Sequence, residues 1–114
     1  QAKAAEEVKR YDVRWAQLDP TMGAEMAPTR PIVIVSLDAL NDRLQTVTVC
    51  PLTSQVHSTW RSRLGVRVAG RRAEIAVDQI RTLSKARIGR KVGVLTAADA
   101  NALRRLITEM YGES

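Results

Sequence analysis

The sequence has no phenylalanine, a single cysteine (Cys50) and a single histidine (His57), and aromatic residues make up only 4% of its 114 residues. One cysteine excludes an internal disulfide and fits a reducing compartment, and one histidine with one cysteine cannot form a zinc site. No apolar run approaches the roughly 20 residues that a membrane-spanning helix needs, and the first ten residues have no signal-peptide core. We therefore expect a cytoplasmic protein with no metal or other cofactor.

Positive charge is what the sequence has in excess, with 18 Lys and Arg against 12 Asp and Glu and a net charge of +6. This balance favours an anionic partner, which can be a nucleic acid, a membrane surface or an acidic protein. The length fits one domain with one core, and 45% hydrophobic and 26% charged residues are ordinary for a globular protein. We expect residues 1–9 to form a frayed or disordered leader and residues 10–114 to form that domain.

Two short β-branched runs, at 32–35 and 46–50, stand out in the middle of the chain. Each has the length and composition of a strand, and their near-continuous apolarity predicts burial on both faces. Arg30 precedes the first run and Thr53 follows the second. If the strands pair in antiparallel fashion, Arg30 and Thr53 become neighbours at one edge of the sheet, where a guanidinium fork and a hydroxyl can bind a phosphate.

The remaining pattern predicts a mainly β or α+β fold, with short strands separated by turns and a C-terminal helix. Thr96 and Asp99 have the spacing of a helix N-cap, and an apolar stripe at helical spacing follows them. The stripe consists of Ala100, Leu103, Leu106, Ile107 and Met110. We expect a small, strongly bent antiparallel sheet or barrel with this amphipathic helix packed on it. The predicted strands span about 11–18, 31–36, 46–52, 64–68, 74–80 and 91–95, with a basic turn at 70–72 and a basic turn or short helix at 84–90.

Several short motifs, in this order and spacing, resemble the MazF/PemK toxins of bacterial toxin–antitoxin modules over about residues 9–112. They are Leu18-Asp19-Pro20, Gly23-x-Glu25, Thr29-Arg30-Pro31, Asn41, Cys50-Pro51-Leu52-Thr53-Ser54, the run from Asp78 to Thr82, and Arg87-Ile88-Gly89. The resemblance implies an SH3-like barrel of the CcdB/PemK type that forms a homodimer. It also implies a metal-independent, sequence-specific endoribonuclease, or mRNA interferase, neutralised by an antitoxin with an acidic C-terminal tail.

The resemblance also implies a chemistry and a set of site residues. The 2′-hydroxyl of single-stranded RNA attacks the phosphate, leaving a 2′,3′-cyclic phosphate and a 5′-hydroxyl. The family's catalytic Arg and Thr fall on Arg30 and Thr53, and its acidic loop residue falls on Glu25. Arg30 suits charge stabilisation, Thr53 suits donation to a phosphate oxygen, and Glu25 is a candidate base only if it lies within about 3 Å of the 2′-hydroxyl. The predicted RNA-binding residues are Thr29, Ser54, Gln55, His57, Trp60, Arg61, Arg63, Asp78, Gln79 and Arg81.

Some of these residues have structural interpretations that the sequence leaves open. Asp78 can tether the following Arg81-Thr82 turn, and Trp60 can anchor its loop instead of stacking on a base. The basic cluster can be a solvated face or a phosphate-binding surface. It consists of Arg61, Arg63, Arg67, Arg71 and Arg72.

The sequence departs from the family pattern, and two other functions remain open. Ala24 stands where some PemK-type members have a catalytic histidine, and Ala27-Pro28 stands where a glycine is common. One alternative is a CcdB-like toxin, which binds DNA gyrase and is not an enzyme. The chain end from Tyr111 to Ser114 matches that group poorly because a terminal aromatic residue is typical there. The other alternative is a non-catalytic RNA-binding barrel.

Overall fold

The computed structural model describes residues 7–18, 29–57 and 59–112, and these residues form seven strands and two α-helices. In chain order the elements are β1 (Asp12–Gln17), β2 (Thr29–Ile34), α1 (Asp38–Asn41), β3 (Thr46–Thr53), β4 (Arg63–Val68), β5 (Arg71–Ala76), β6 (Arg81–Ser84), β7 (Ile88–Val94) and α2 (Ala97–Tyr111), with 3₁₀ turns at Val77–Gln79 and Lys85–Arg87. None of these helices is long and apolar enough to cross a membrane.

One curved sheet contains all seven strands, in the order β4-β5-β3-β2-β1-β7, with β6 attached to β3. Every pair is antiparallel, as predicted. The first half of β3 pairs with β6 and its last two residues pair with β5, so β3 changes partner along its length. This change curls the sheet into a half-barrel. The two edge strands, β7 and β4, approach each other at Gly93 and Val68. A Cβ on Gly93 would lie 3.2 Å from the Val68 side chain, which is a tight contact that the glycine avoids.

The β2–β3 pair is buried on both faces, as its continuous apolarity predicted. Val33 and Cys50 are register partners in one hydrophobic cluster, which also includes the residues under α2. Ile34 and Val49 are partners in a second cluster on the opposite face. Val8 is buried in the second cluster, so the described chain packs against the sheet before residue 10, where the predicted domain begins. Residues 1–6 of the predicted leader lie outside the described residues.

Helix α2 confirms the predicted cap and apolar stripe. The Thr96 hydroxyl accepts the Asp99 N–H at 3.1 Å, which satisfies one free amide of the first turn. Leu103 is fully buried in the first cluster, Leu106, Ile107 and Met110 pack against that cluster, and Ala100 is buried. At the far end, the Tyr111 hydroxyl donates to the Val77 carbonyl at 2.9 Å. This bond ties the last turn of α2 to the segment after β5.

Three predicted boundaries were wrong. The predicted strand over 74–80 ends at Ala76, because a 3₁₀ turn at Val77–Gln79 interrupts it. The predicted basic turn at 70–72 is a tight turn at Ala69 and Gly70, with φ angles of 52° and 79°, and its two arginines belong to β5. The predicted turn or short helix at 84–90 is a 3₁₀ helix only at Lys85–Arg87, and the end of β6 and the start of β7 flank it. Short strands with many arginines carry little apolar alternation, so their boundaries are weakly encoded locally.

Candidate active site

The structure brings Arg30 and Thr53 together through the register of β2 and β3. Ile32 pairs with Pro51, and extending this antiparallel register by two residues places Arg30 opposite Thr53. Directly opposed residues have Cβ atoms about 4.5–5.5 Å apart and point to the same face. Arg30 is exposed and Thr53 is half-buried, so both side chains are accessible from solvent at this edge of the sheet.

Two adjoining grooves share these two residues. The rim groove has a volume of about 340 Å³, and its polar lining includes Gln55, His57, Arg63, Gln79 and Arg81. The mouth groove has a volume of about 800 Å³ and is lined by Trp15, Thr29, Ser54, Gln55, Arg71 and Arg72 among others. Seven of the ten predicted RNA-binding residues therefore line a groove that Arg30 and Thr53 also line.

The Thr53 hydroxyl is oriented by the backbone that follows it. The Gln55 N–H donates to Thr53 Oγ1 at 3.1 Å. A hydroxyl has one proton to donate and two lone pairs that accept. Since the amide occupies one lone pair, the Thr53 proton remains available for an anionic oxygen in the groove.

Glu74, which the sequence analysis did not identify, holds the loop after β3 in place. It is opposite Thr53 in the β3–β5 register, is only 4% exposed, and its Oε1 accepts the His57 N–H at 2.8 Å. A buried carboxylate that accepts a backbone amide restrains the loop carrying Gln55 and His57. The one sequence signal for this role is a charged residue directly before the apolar run 75–77. Its hydrogen-bond partner lies 17 residues earlier in the chain, so no local pattern connects the two.

Aromatic and cationic side chains stack beside this loop. The His57 and Trp60 rings are nearly parallel, with centroids 4.0 Å apart and planes 10° apart. The Arg63 guanidinium carbon lies 4.7 Å from the centre of the Trp60 ring, a favourable cation–π distance. Trp60 thus contacts residues of its own loop and of β4 while it stays 47% exposed, and its stacking on an RNA base stays a prediction.

Asp78 binds Arg63 instead of the Arg81-Thr82 turn, so its predicted tether was wrong. Arg63 Nε donates to Asp78 Oδ1 at 3.0 Å, and the Arg63 side chain is only 7% exposed. Burial raises the pKa of Asp78, but hydrogen bonds from Ser62 and Arg63 outweigh it, and the pKa lies below its usual value of 3.8. The carboxylate thus stays charged and holds Arg63 at the wall of the rim groove.

Two other predicted site residues are Arg61 and Glu25. Arg61 forms an ion pair with Glu109 on α2 and does not line either groove. Glu25 lies outside the described residues. Across residues 7–18, 29–57 and 59–112, no group of three or more His, Cys, Asp or Glu side chains is arranged to hold a metal ion.

The arrangement at the β2–β3 edge can bind a phosphate and stabilise added negative charge on it. Arg30 supplies a planar fork of donors, Thr53 supplies an oriented hydroxyl, and Arg81 adds positive charge to the same groove. Groups that are held in place before the reaction lower its barrier more than groups that must reorganise. The site is therefore suited to phosphoryl chemistry on an extended anion.

Comparison with known proteins agrees with this geometry. Residues 9–111 match the family described as PemK-like, MazF-like toxin of type II toxin–antitoxin system. Over 91 residues the chain is 31% identical to Endoribonuclease EndoA of Bacillus subtilis (strain 168), covering 75% of this chain and 78% of that protein.

Solved structures confirm the predicted fold. The Mycobacterium tuberculosis toxin MazF-mt6 superposes with a TM-score of 0.74 at 24% identity, covering 90% of this chain and 98% of that one. A MazE–MazF complex from Deinococcus radiodurans gives a TM-score of 0.79 at 19% identity, covering 96% and 100%.

Proposed function

Since the chain belongs to the PemK-like, MazF-like toxin family of type II toxin–antitoxin systems, we propose that it is a sequence-specific endoribonuclease that cleaves single-stranded RNA. The observation that supports this most directly is the pairing of Arg30 with an oriented Thr53 hydroxyl at one groove. Its similarity to a protein named as an endoribonuclease points to the same activity.

The proposed reaction is an internal phosphoryl transfer. The 2′-oxygen of the RNA forms a bond to phosphorus, and the bond from phosphorus to the 5′-oxygen of the next nucleotide breaks. The 2′-hydroxyl loses a proton to a base, and the leaving oxygen gains one. The products carry a 2′,3′-cyclic phosphate and a 5′-hydroxyl, and no metal is needed for the atoms and charges to balance.

Arg30 and Thr53 act on the non-bridging phosphate oxygens in this proposal. The phosphorane that forms during attack carries more negative charge than the starting diester, so donors aimed at it stabilise the transition state selectively. Losing one such donor typically costs about 2.7–4 kcal/mol, or roughly 10²–10³ in rate. Thr53 is not the nucleophile, because the substrate supplies its own.

His57 is the candidate for protonating the leaving 5′-oxygen. Among the described residues that line the rim groove, His57 carries the side chain that most often serves as a general acid or base in enzymes. Its loop is held by Glu74 and its ring is stacked on Trp60, so the imidazole has a restrained position. Glu25 remains the proposed base on the family resemblance alone.

The proposed partners follow from the same assignment. We propose a cognate antitoxin with an acidic tail that covers the cationic grooves, because the related Deinococcus radiodurans toxin was solved as a MazE–MazF complex. We also propose a homodimer that acts on mRNA in the cytoplasm.

The test is incubation of the purified protein with long single-stranded RNA in EDTA, beside Arg30→Ala and Thr53→Ala. Discrete fragments with 5′-hydroxyl ends, lost in both variants, are the expected result. Arg43→Ala is the matched control, because Arg43 is exposed and lies at the other end of the β2–β3 pair. Binding without cleavage by folded wild-type protein would favour the RNA-binding barrel, and inhibition of DNA gyrase would favour the CcdB-like alternative.

A further inference from the structure

Besides Arg63, the β4–β5 hairpin carries three more arginines near the candidate active site, called here the hairpin arginines: Arg67, Arg71 and Arg72. Glu74 pairs with Thr53, and Arg72 lies two residues before Glu74 on β5, about 7 Å along the strand. Arg67 is the register partner of Arg72 on β4. Because register partners and alternate residues share a face, Arg67 and Arg72 lie on the face that carries Thr53.

The charge of the hairpin arginines is not balanced within the described chain. Arg67 and Arg72 are directly opposite each other, and like charges in that position destabilise a sheet. Arg67 Nη1 donates to the Gly70 carbonyl, but none of the three arginines forms an ion pair with a carboxylate of the described residues. By contrast, Arg61 and Arg63 just before them both have carboxylate partners.

The space between the hairpin and the candidate active site is open. Arg71 and Arg72 line the mouth groove together with Arg30 and Thr53. Gly65 is the register partner of Glu74, and a Cβ built on Gly65 meets no atom within 4 Å. An extended chain bound at Thr53 can therefore pass over Gly65 and reach Arg67 and Arg72 without a steric barrier from the described residues.

We infer that Arg67 and Arg72 bind the phosphate backbone of single-stranded RNA beyond the phosphate held by Arg30 and Thr53. The inference rests on the proposed function for the position of the reacting phosphate. Backbone contacts carry no sequence information. The hairpin therefore strengthens binding of long RNA of any sequence, while the loop after β3 remains the candidate for sequence recognition.

The experiment measures binding of fluorescein-labelled, mixed-sequence single-stranded RNA of two lengths by anisotropy over a salt series. All proteins carry Thr53→Ala so that the RNA stays intact. We expect Arg67→Gln/Arg72→Gln to weaken binding of the long RNA about tenfold and to lower the salt slope by about 1.4, or about 0.7 for each lost phosphate contact. The advantage of the long RNA over the short RNA should shrink accordingly.

Two further proteins separate contact from net charge. Arg43→Gln/Arg105→Gln removes the same charge at two exposed positions outside both grooves and should keep the salt slope. Gly65→Leu adds bulk in open space without changing charge, and it should weaken binding of the long RNA while the melting temperature is maintained. Equal losses in the two double variants would show an effect of net charge alone and would overturn the inference.

The remaining outcomes are also decisive. If the hairpin variant binds RNA normally but binds polyglutamate more weakly, the surface takes an acidic protein segment and the inference is wrong. Cleavage is measured separately on protein that retains Thr53. Absence of cleavage alongside the expected binding loss would refute the proposed nuclease but not the hairpin contact, whereas cleavage without any hairpin effect would refute the contact alone.

Discussion

Two charged regions of this molecule use arginine in opposite ways. On β1, Arg14 is 4% exposed, lies 3.7 Å from Asp12, and donates to the Gly89 and Glu7 carbonyls. At the start of β2, Arg30 is exposed and has no hydrogen bond or ion pair to the described residues. The donors of the first arginine are directed into the fold, and those of the second are exposed, where we propose that they bind the RNA phosphate. The hydrogen bonds and ion pairs of an arginine therefore show whether it serves the fold or is available to a ligand, which its residue type alone does not show.

The largest expected effect is a loss of stability in Asp12→Asn, because Asp12 forms the buried ion pair with Arg14 on β1. Asp12 is 2% exposed and also pairs with Lys91 at 3.4 Å. Removing one charge from a buried ion pair typically costs about 3–5 kcal/mol, because the other charge stays buried. We expect urea unfolding to show a loss of this size, with cleavage per folded molecule unchanged. A loss below about 1 kcal/mol would mean that the ion pair is effectively solvated.

For Arg30→Ala we expect the reverse, which is a large loss of cleavage with little change in stability. Cleavage should fall roughly 10²–10³-fold, since a preorganised donor to the transition state is lost. Stability should change by no more than about 0.5 kcal/mol, because the side chain is exposed and unpaired within the described residues. Parallel activity and urea measurements test both halves. An Arg30 variant that unfolds easily would place Arg30 among the structural arginines and contradict the comparison.

An intermediate effect is expected for Glu74, which belongs to the fold but positions the site. Glu74→Ala leaves the part-buried His57 N–H without its acceptor, at a cost of about 1 kcal/mol or slightly more. Cleavage should fall as well, since the loop carrying Gln55 and His57 loses its anchor. Glu74→Gln keeps an acceptor oxygen, so we expect it to restore most of the activity. Equal losses in both variants would mean that the Glu74 charge matters more than its hydrogen bond.

His57→Gln tests the proposed proton donor through the pH dependence of the reaction. A general acid works only when protonated, so an enzyme that depends on one loses activity as the pH rises. Glutamine cannot transfer a proton, and we expect a lower kcat without this decline. Single-turnover cleavage across neutral pH measures both features. A variant with wild-type kcat and the same pH profile would exclude His57 as the acid.

The smallest expected effect concerns pH and the Asp78–Arg63 pair. The folded-state pKa of Asp78 is lowered, so its stabilising contribution is fully present above the unfolded-state value of 3.8 and is lost as pH falls through the lower folded-state pKa. Because the side chain is 35% exposed, solvent screens this contribution and we expect it to be small. Asp78→Asn should flatten the acid limb of the stability curve in urea titrations. An unchanged limb would show that other carboxylates control it.

Local sequence patterns predicted the parts of this protein that depend on neighbouring residues. The two runs at 32–35 and 46–50 identified β2 and β3 and their burial on both faces. The spacing of Thr96 and Asp99 identified the cap of α2. Assuming that these strands pair in antiparallel fashion then predicted Arg30 beside Thr53, because the start of β2 and the end of β3 meet at the same edge of the sheet. Glu74 and the Arg63–Asp78 pair escaped prediction, since their partners are 17 and 15 residues away across strand pairs.

The sequence alone determined the basic charge, the strand pair at the centre of the sheet and the amphipathic helix, because composition and periodicity are local properties. Only the tertiary structure decided which arginines are enclosed and which remain open. Arg14 and Arg30 look alike in sequence, yet Asp12, Gly89 and Glu7 surround the first, and the end of a strand leaves the second uncovered. The physical reason is that charge compensation depends on contacts across strands, and these exist only after the sheet has curled.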